Sequence, residues 1–262
     1  MQTGPGAVLV FVLGLAVGSF LNVVRHRLPR GLGLVAGRSA CPNCGRTIAW
    51  YDNLPLVSFA VLRGKCRGCG WRIPWTYPVI EAATGLAFLA IWLESRPLEM
   101  PGHFVLAALL IASAGIDFDL RIIPDRLTLP GIVLGFIFSV ALAGRETPGA
   151  SALGSALGIV VGGGSLLAIA LAYKAVRKIE GMGGGDIKLM AMVGAFLGWK
   201  LALVTIFLGA FAGGVIGLGL ARKSSEGLKA AVPFGVFLGP AAIVAMLWGE
   251  VLVSAYLRLI GR

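Results

Sequence analysis

Residues 6–24 and 151–173 contain no charged side chain, and each run is long enough to cross a bilayer as a helix. A hydrocarbon core about 30 Å thick takes about 20 apolar residues at helical rise, so these runs settle the class of chain before any motif is read. Similar runs, some shorter, at 79–93, 104–116, 127–143, 187–199, 201–221 and 230–249 predict an all-α polytopic membrane protein with about eight transmembrane helices. Composition points the same way. Of 262 residues, 57% are hydrophobic and 13% charged, with a mean hydropathy of +0.88, which excludes a soluble globule, a disordered chain and a secreted disulfide scaffold. Gly14/Gly18, Gly154/Gly158/Gly162 and Gly209/Gly213/Gly217 recur at four-residue spacing and predict close helix contacts, because small residues let backbones approach where lipid supplies no hydrophobic drive.

Basic residues orient the bundle. Lys and Arg number 23 against 12 Asp and Glu, a formal charge of +11. In a soluble protein that excess would suggest nucleic acid as a partner; beside membrane spans it needs none, and no nucleic acid is expected. Arg25, Arg27 and Arg30 follow the first span and nothing positive precedes it, so it reads as a retained anchor rather than a signal peptide. Loops 25–78, 117–126, 174–188 and 222–229 then collect every basic residue except Arg96, Arg145, Lys200, Arg258 and Arg262. By the positive-inside rule those loops are cytoplasmic and both termini external. The tail at 251–260 is too short for a further span and reads as an interfacial helix.

The longest cytoplasmic loop holds all the cysteines, as Cys41-Pro-Asn-Cys44 and Cys66-Arg-Gly-Cys69. Two CxxC knuckles at this separation predict tetrahedral thiolate ligation of one zinc ion. Gly45 and Gly70 follow the second cysteine of each and suit the tight turn that aims sulfur at the metal. Two disulfides are the competing reading, but the cytosol keeps thiols reduced; a redox pair usually accompanies a βαβ pattern, absent here. Four protein ligands close the coordination sphere, so the metal would be structural. The expected division is a first helix at 1–24, a four-cysteine zinc-binding domain at 25–78 whose basic surface can touch anionic lipid, and a seven-helix membrane domain at 79–262.

Acids at the ends of spans are the default functional hypothesis in a membrane protein. Asp117, Asp119 and Asp125 follow the third run, Asp186 opens the sixth within Gly181-Met-Gly-Gly-Gly-Asp-Ile-Lys188, and Glu81 lies just inside the second. The topology brings the end of the third run and the start of the sixth to one face. Gly183, Gly184 and Gly185 leave a backbone free of side chains, suited to pairing with an extended peptide. A phosphate loop would need a lysine followed by Ser or Thr. Asp186 also suits a helix N-cap, Asp119 and Asp125 can each pair with Arg121 or Arg126, and Pro124-Asp125 looks like a helix start. Glu81 either contacts a substrate or satisfies a bundle neighbour. Two converging carboxylates suggest aspartyl protease chemistry, in which one deprotonates water and the other protonates the carbonyl oxygen and then the leaving amine. A proton-coupled transporter would use the same acids, though nearer the midplane and usually with internal repeats, and no long repeat is visible.

These residues resemble the prepilin leader peptidase/N-methyltransferase family, also called type IV prepilin peptidases. Gly18-Ser-Phe-Leu-Asn-Val-Val24 with Arg27-Leu-Pro29 is similar to its N-terminal signature, and Cys41 to Cys69 with Trp50-Tyr-Asp-Asn-Leu-Pro55 and Leu62-Arg-Gly64 to its cysteine loop. Ile116-Asp117 with Ile123-Pro-Asp-Arg-Leu-Thr-Leu-Pro130 resembles its first aspartate motif, Gly183-Gly-Gly-Asp-Ile-Lys-Leu189 its GxGD motif, and Pro233-Phe-Gly235 a further element. The resemblance implies a bacterial inner-membrane aspartyl endopeptidase that removes the leader of type IV prepilins or pseudopilins, after a glycine, on the cytoplasmic side. It maps the catalytic pair onto Asp117 and Asp186, with Asp125 as rival for the first place. Gly183, Gly184, Gly185, Lys188 and Glu81 are the candidate substrate contacts. It also implies N-methylation of the new terminus with S-adenosylmethionine.

Overall fold

The computed structural model describes residues 4–35, 37–142, 151–179, 181–221 and 233–261; Arg145, Glu180 and the basic stretch 222–229 lie outside them. The described residues form helices joined by turns, with two isolated β-bridges and no strand. In order the helices are α1 (Pro5–Arg27), α2 (Val57–Val61), α3 (Thr76–Glu94), α4 (Met100–Leu120), α5 (Asp125–Ala141), α6 (Ala152–Arg177), α7 (Gly184–Ala221) and α8 (Gly235–Leu259). They gather into two units, Met1–Ser95 and Arg96–Arg262.

In the first unit α1 lies along α3, and the seam is made of small residues. A Cβ on Gly14 would stand 2.8 Å from Gly85 Cα, and one on Gly18 would stand 2.7 Å from Glu81 Cα. At the end of this seam Asn22 Nδ2 donates to the Tyr77 carbonyl at 3.2 Å. In the second unit α7 is the central element, packed against α5, α6 and α8, while α4 packs on α8. Leu189, Met190, Met192 and Val193 of α7 are wholly buried. Gly158 of α6 crosses Gly194 of α7 backbone to backbone, Gly162 sits on Met190, and Ser155 Oγ donates to the Ala195 carbonyl at 2.8 Å. Gly209 and Gly213 receive Leu238 and Phe237 of α8, whereas Gly217 faces open space. The four-residue glycine spacing thus marks helix contacts in both units, with Gly217 as the exception.

Among the described residues six helices are long and apolar enough to cross a membrane, namely α1, α3, α4, α6, α7 and α8. α5, at 17 residues, is shorter. The runs expected at 187–199 and 201–221 are one element interrupted at Gly198, whose φ of 75° and ψ of 174° lie in a region open essentially to glycine. α4 continues past the expected end at 116 to Leu120, which puts Asp117 and Asp119 inside the helix. α8 runs unbroken to Leu259, so the tail at 251–260 is no separate interfacial helix: Glu250 is a helix former, and neither glycine nor proline stands between Gly249 and Gly261 to stop the turn.

The α6–α7 crossing has no room for a side chain. Gly158→Leu and Gly162→Leu should each destabilise the protein by about 1–3 kcal/mol, the usual range for overpacking. Gly164→Leu, which meets nothing within 4 Å, should change the thermal midpoint in detergent far less.

Candidate active site

The two cysteine knuckles adopt the same hairpin. Cys41 N–H donates to Arg46 O and Gly45 N–H to Cys41 O; Cys66 N–H donates to Trp71 O and Gly70 N–H to Cys66 O, all at 2.8–2.9 Å. The isolated bridges Ala40↔Thr47 and Lys65↔Arg72 close the two loops. Gly45 and Gly70 both have φ of 70°, the left-handed turn that returns each chain past its second cysteine. The four Sγ atoms lie within 4.8 Å of one another and form no disulfide, so Cys41, Cys44, Cys66 and Cys69 can hold one metal ion. Asn43 Nδ2 donates to Cys69 Sγ at 3.5 Å, and such donation to the thiolate draws that thiol down to about 6. Between the knuckles, Arg67 forks onto both oxygens of Asp52 at 2.7–3.0 Å and holds the Asp52 carboxyl below its usual range.

In the second unit three chain segments meet at the end of α4. Asp117, 5% exposed in the last turn of α4, accepts hydrogen bonds from the backbone amides of Gly235 and Val236. These are among the first amides of α8, which have no partner within their own helix and carry the positive end of its dipole. Asp117 Oδ2 is buried and makes no hydrogen bond. A Cβ on Gly235 would stand 2.7 Å from that oxygen and 2.8 Å from Ile123 Cδ1, so only glycine fits there.

Asp186 lies close enough to Asp117 for the two carboxylates to interact electrostatically. It sits in the first turn of α7, not at the N-cap position: its amide donates to Gly183 O at 3.2 Å, and its carboxylate accepts the Gly183 amide. The acid three residues beyond the cap supplies one half of a capping box; Gly183, without a side chain, closes the turn through its backbone carbonyl instead. Gly184 meets nothing within 4 Å and Gly183 only Asp186 and its own loop backbone, leaving open space over that stretch; Gly185 is instead covered by Ile123, and a Cβ there would stand 2.9 Å from the isoleucine Cβ. Ile123, 8% exposed in the α4–α5 turn, therefore touches both Gly235 beside Asp117 and Gly185 beside Asp186.

Asp125 opens α5 and is engaged elsewhere. Lys188 Nζ donates to both of its oxygens at 2.7 Å, and both side chains are about half exposed. The pairing with Arg126 open to it from the sequence is not made; Lys188, one turn into α7, is nearer. Glu81 belongs to the first unit, where its Oε2 accepts the Leu56 amide at 2.9 Å. Sequence reasoning missed the two α8 amides and the Ile123 wedge. Their signals were visible as Pro233-Phe-Gly235 and Ile123-Pro124, motifs without an assigned role.

Known proteins bear on this geometry directly. Residues 12–95 match the Bacterial Peptidase A24 N-terminal domain, and residues 104–218 match the Type IV leader peptidase family. A "Prepilin leader peptidase/N-methyltransferase" of Aeromonas hydrophila is 36% identical over 278 residues, covering 95% of this chain and 93% of its own. The protein of the same name from Pseudomonas putida is 35% identical, covering 97% and 94%, and that of Myxococcus xanthus 41% identical, covering 81% and 62%. No solved structure matches the chain. With relatives aligned over nearly its whole length and paired aspartates at the meeting of α4, α7 and α8, the chain belongs to the type IV leader peptidase family.

Proposed function

We propose that this chain removes the leader of type IV prepilins or pseudopilins after a glycine, as an aspartyl endopeptidase using Asp117 and Asp186, and then N-methylates the new terminus. The observation that carries the reading is the buried Asp117 carboxylate, tied to the α8 amides within electrostatic reach of Asp186. One carboxylate takes a proton from water as its oxygen adds to the scissile carbonyl, and the other gives its proton to the carbonyl oxygen. Collapse of the tetrahedral intermediate breaks the C–N bond, and the amine leaves with a proton from the dyad. The open backbone at Gly183 and Gly184 receives the extended leader by main-chain hydrogen bonding. Lys188 stays at the rim and keeps Asp125 paired, outside the chemistry.

The metal is zinc, and its role is structural. Tetrahedral Zn–S bonds of about 2.3 Å set sulfurs about 3.8 Å apart, and Cys41 Sγ and Cys69 Sγ lie 3.9 Å apart. S-adenosylmethionine is the methyl donor. The chain sits in the bacterial inner membrane with the cysteine loop and the aspartates on the cytoplasmic side. Counting α5 and the two arms of α7 around Gly198, it makes eight passes, and an even number leaves both termini external.

Asp117→Asn and Asp186→Asn should each lower cleavage of a prepilin in liposomes by about 10²–10⁴-fold, the usual worth of an acid–base group; Asp125→Asn should retain it. Cleavage that survives in either of the first two removes that residue from the dyad. Purified protein should carry one zinc per chain by elemental analysis. Chelation should open the loop to trypsin, since two hairpins with almost no apolar core depend on the metal. Reporter fusions at both ends should be active only outside the cytoplasm; a cytoplasmic carboxyl terminus would make the number of passes odd.

A further inference from the structure

A glycine stands beside each acid at a helix start, Gly235 against Asp117 and Gly185 next to Asp186, and one residue closes on both. A Cβ on Gly235 would meet Ile123 Cδ1 at 2.8 Å. A Cβ on Gly185 would meet Ile123 Cβ at 2.9 Å and the Ile123 carbonyl oxygen at 3.2 Å. The tip of the isoleucine therefore bears on the start of α8, while its root and backbone bear on the start of α7. Because both contacts are made to glycine, the isoleucine meets backbone rather than another side chain, and its own length sets how near the two starts can come.

Ile123 is itself held from both sides. Arg121, with φ of 55°, ends α4 in a left-handed turn whose amide donates to the Asp117 carbonyl at 2.9 Å. Pro124 stands at the N-cap of α5 with φ of −67° and ψ of 135°, and a proline confines the residue before it to extended backbone. Between these fixed points neighbouring side chains diverge: Ile122 is 51% exposed and Ile123 only 8%. Branching at Cβ stiffens the first side-chain torsion, so Cδ1 extends from a root with little freedom.

We infer that Ile123 is a positioning residue for peptide cleavage, one that sets the gap between the Asp117 and Asp186 carboxylates by spacing the first turn of α8 from the first turn of α7. The inference rests on the peptidase reading, in which both acids reach one scissile carbonyl at once. Ile123 acts through the helix starts. The Gly235 and Val236 amides hold Asp117 and the Gly183 amide holds Asp186, so a shift of either start carries its acid along. Misplacing a reacting group by about 1 Å can cost about 10²-fold in rate.

Steady-state cleavage of a prepilin in liposomes by Ile123→Val and Ile123→Ala tests this, with thermal midpoints taken in detergent and Asp117→Asn and Asp186→Asn as references. Valine keeps the Cβ at Gly185 and loses the Cδ1 at Gly235; alanine loses the tip altogether. On the scale set by such misplacement, kcat should fall about 3–10-fold in the first and about 10–100-fold in the second, with KM within about twofold of wild type. The contacts also predict which pairs of substitutions couple. Gly235→Ala, whose methyl meets Cδ1, should cost less kcat in Ile123→Val than in wild type, whereas Gly185→Ala, whose methyl meets atoms that valine keeps, should cost the same in both. Wild-type kcat in a folded Ile123→Ala, or an equal cost of Gly235→Ala in the two backgrounds, overturns the spacing role. A change confined to KM, or a loss of kcat that follows the thermal midpoint alone, overturns it as well and leaves Ile123 a substrate contact or a core residue. Should Ile123→Ala fail to fold, Ile123→Val and its coupling to Gly235→Ala decide. Cleavage that survives in Asp117→Asn or Asp186→Asn overturns the dyad itself, and the spacing role with it, whatever the Ile123 series shows.

Discussion

Backbone-to-backbone contact between helices is the constraint on which the rest of this structure depends. Lipid is as apolar as a leucine side chain, so helices in it gain little from burying apolar groups against each other and must associate by close packing. Gly158 on Gly194, Gly162 on Met190, and Gly14 and Gly18 on α3 supply that packing. The consequence for the second unit is positional. α7 is fixed along its length by α5, α6 and α8, so the turn that carries Asp186 at its start is not free to wander. An acid at a loose helix end would meet its partner only part of the time; here the helix beneath it is clamped within its first two turns.

The same logic explains why the aspartates sit at helix ends. Within a helix every backbone amide is spent on its own ladder, and only the first turn has amides to offer. Asp117 ends α4 and borrows the amides that begin α8; Asp186 begins α7 and borrows that of Gly183. Each carboxylate thus draws its donors from backbone at a helix start. Glycine at 235 lets Asp117 and Ile123 close on the first turn of α8, and glycine at 185 lets Ile123 close on the first turn of α7. One isoleucine spaces both junctions, which makes the α4–α5 turn a gauge for the gap between the acids.

Much of this was legible in the sequence, for reasons that differ from element to element. Charge-free runs and glycine spacing are read directly by lipid, so α1, α6 and their small-residue faces could be placed before any coordinates. The cysteine spacing also fixes itself locally, because each CxxCG hairpin closes on its own hydrogen bonds. The failures are at boundaries and at contacts between elements distant in sequence. A residue such as Asp117 or Glu250 looks like the end of a span when charge alone is counted, yet a helix that has somewhere to put the side chain does not stop. Gly198 was one glycine among 39, and nothing local marks it as the place where an apolar run turns to positive φ and breaks the helix. Lys188 could be paired correctly only once α5 and α7 were seen to start side by side.

The four-cysteine cluster, which can hold one metal ion, bears on where chemistry can occur. An ion held by all four cysteines would have no open position left, so it would activate no water and would act through shape. Its shape is specific: two copies of one hairpin, Cys41 with Cys66, Cys44 with Cys69, Gly45 with Gly70, Ile48 with Ile73. Between them the chain must double back through α2, and it does so at Leu56, in a backbone conformation that costs about 1–3 kcal/mol for a non-glycine residue. The hydrogen bond to Glu81 offsets part of that cost, and it also commits a carboxylate to the interior of the first unit. A fold with no use for that carboxylate would do better with an apolar residue at position 81 and a glycine at position 56. Keeping both the strain and the buried acid ties the return of the cysteine loop to α3 through one hydrogen bond.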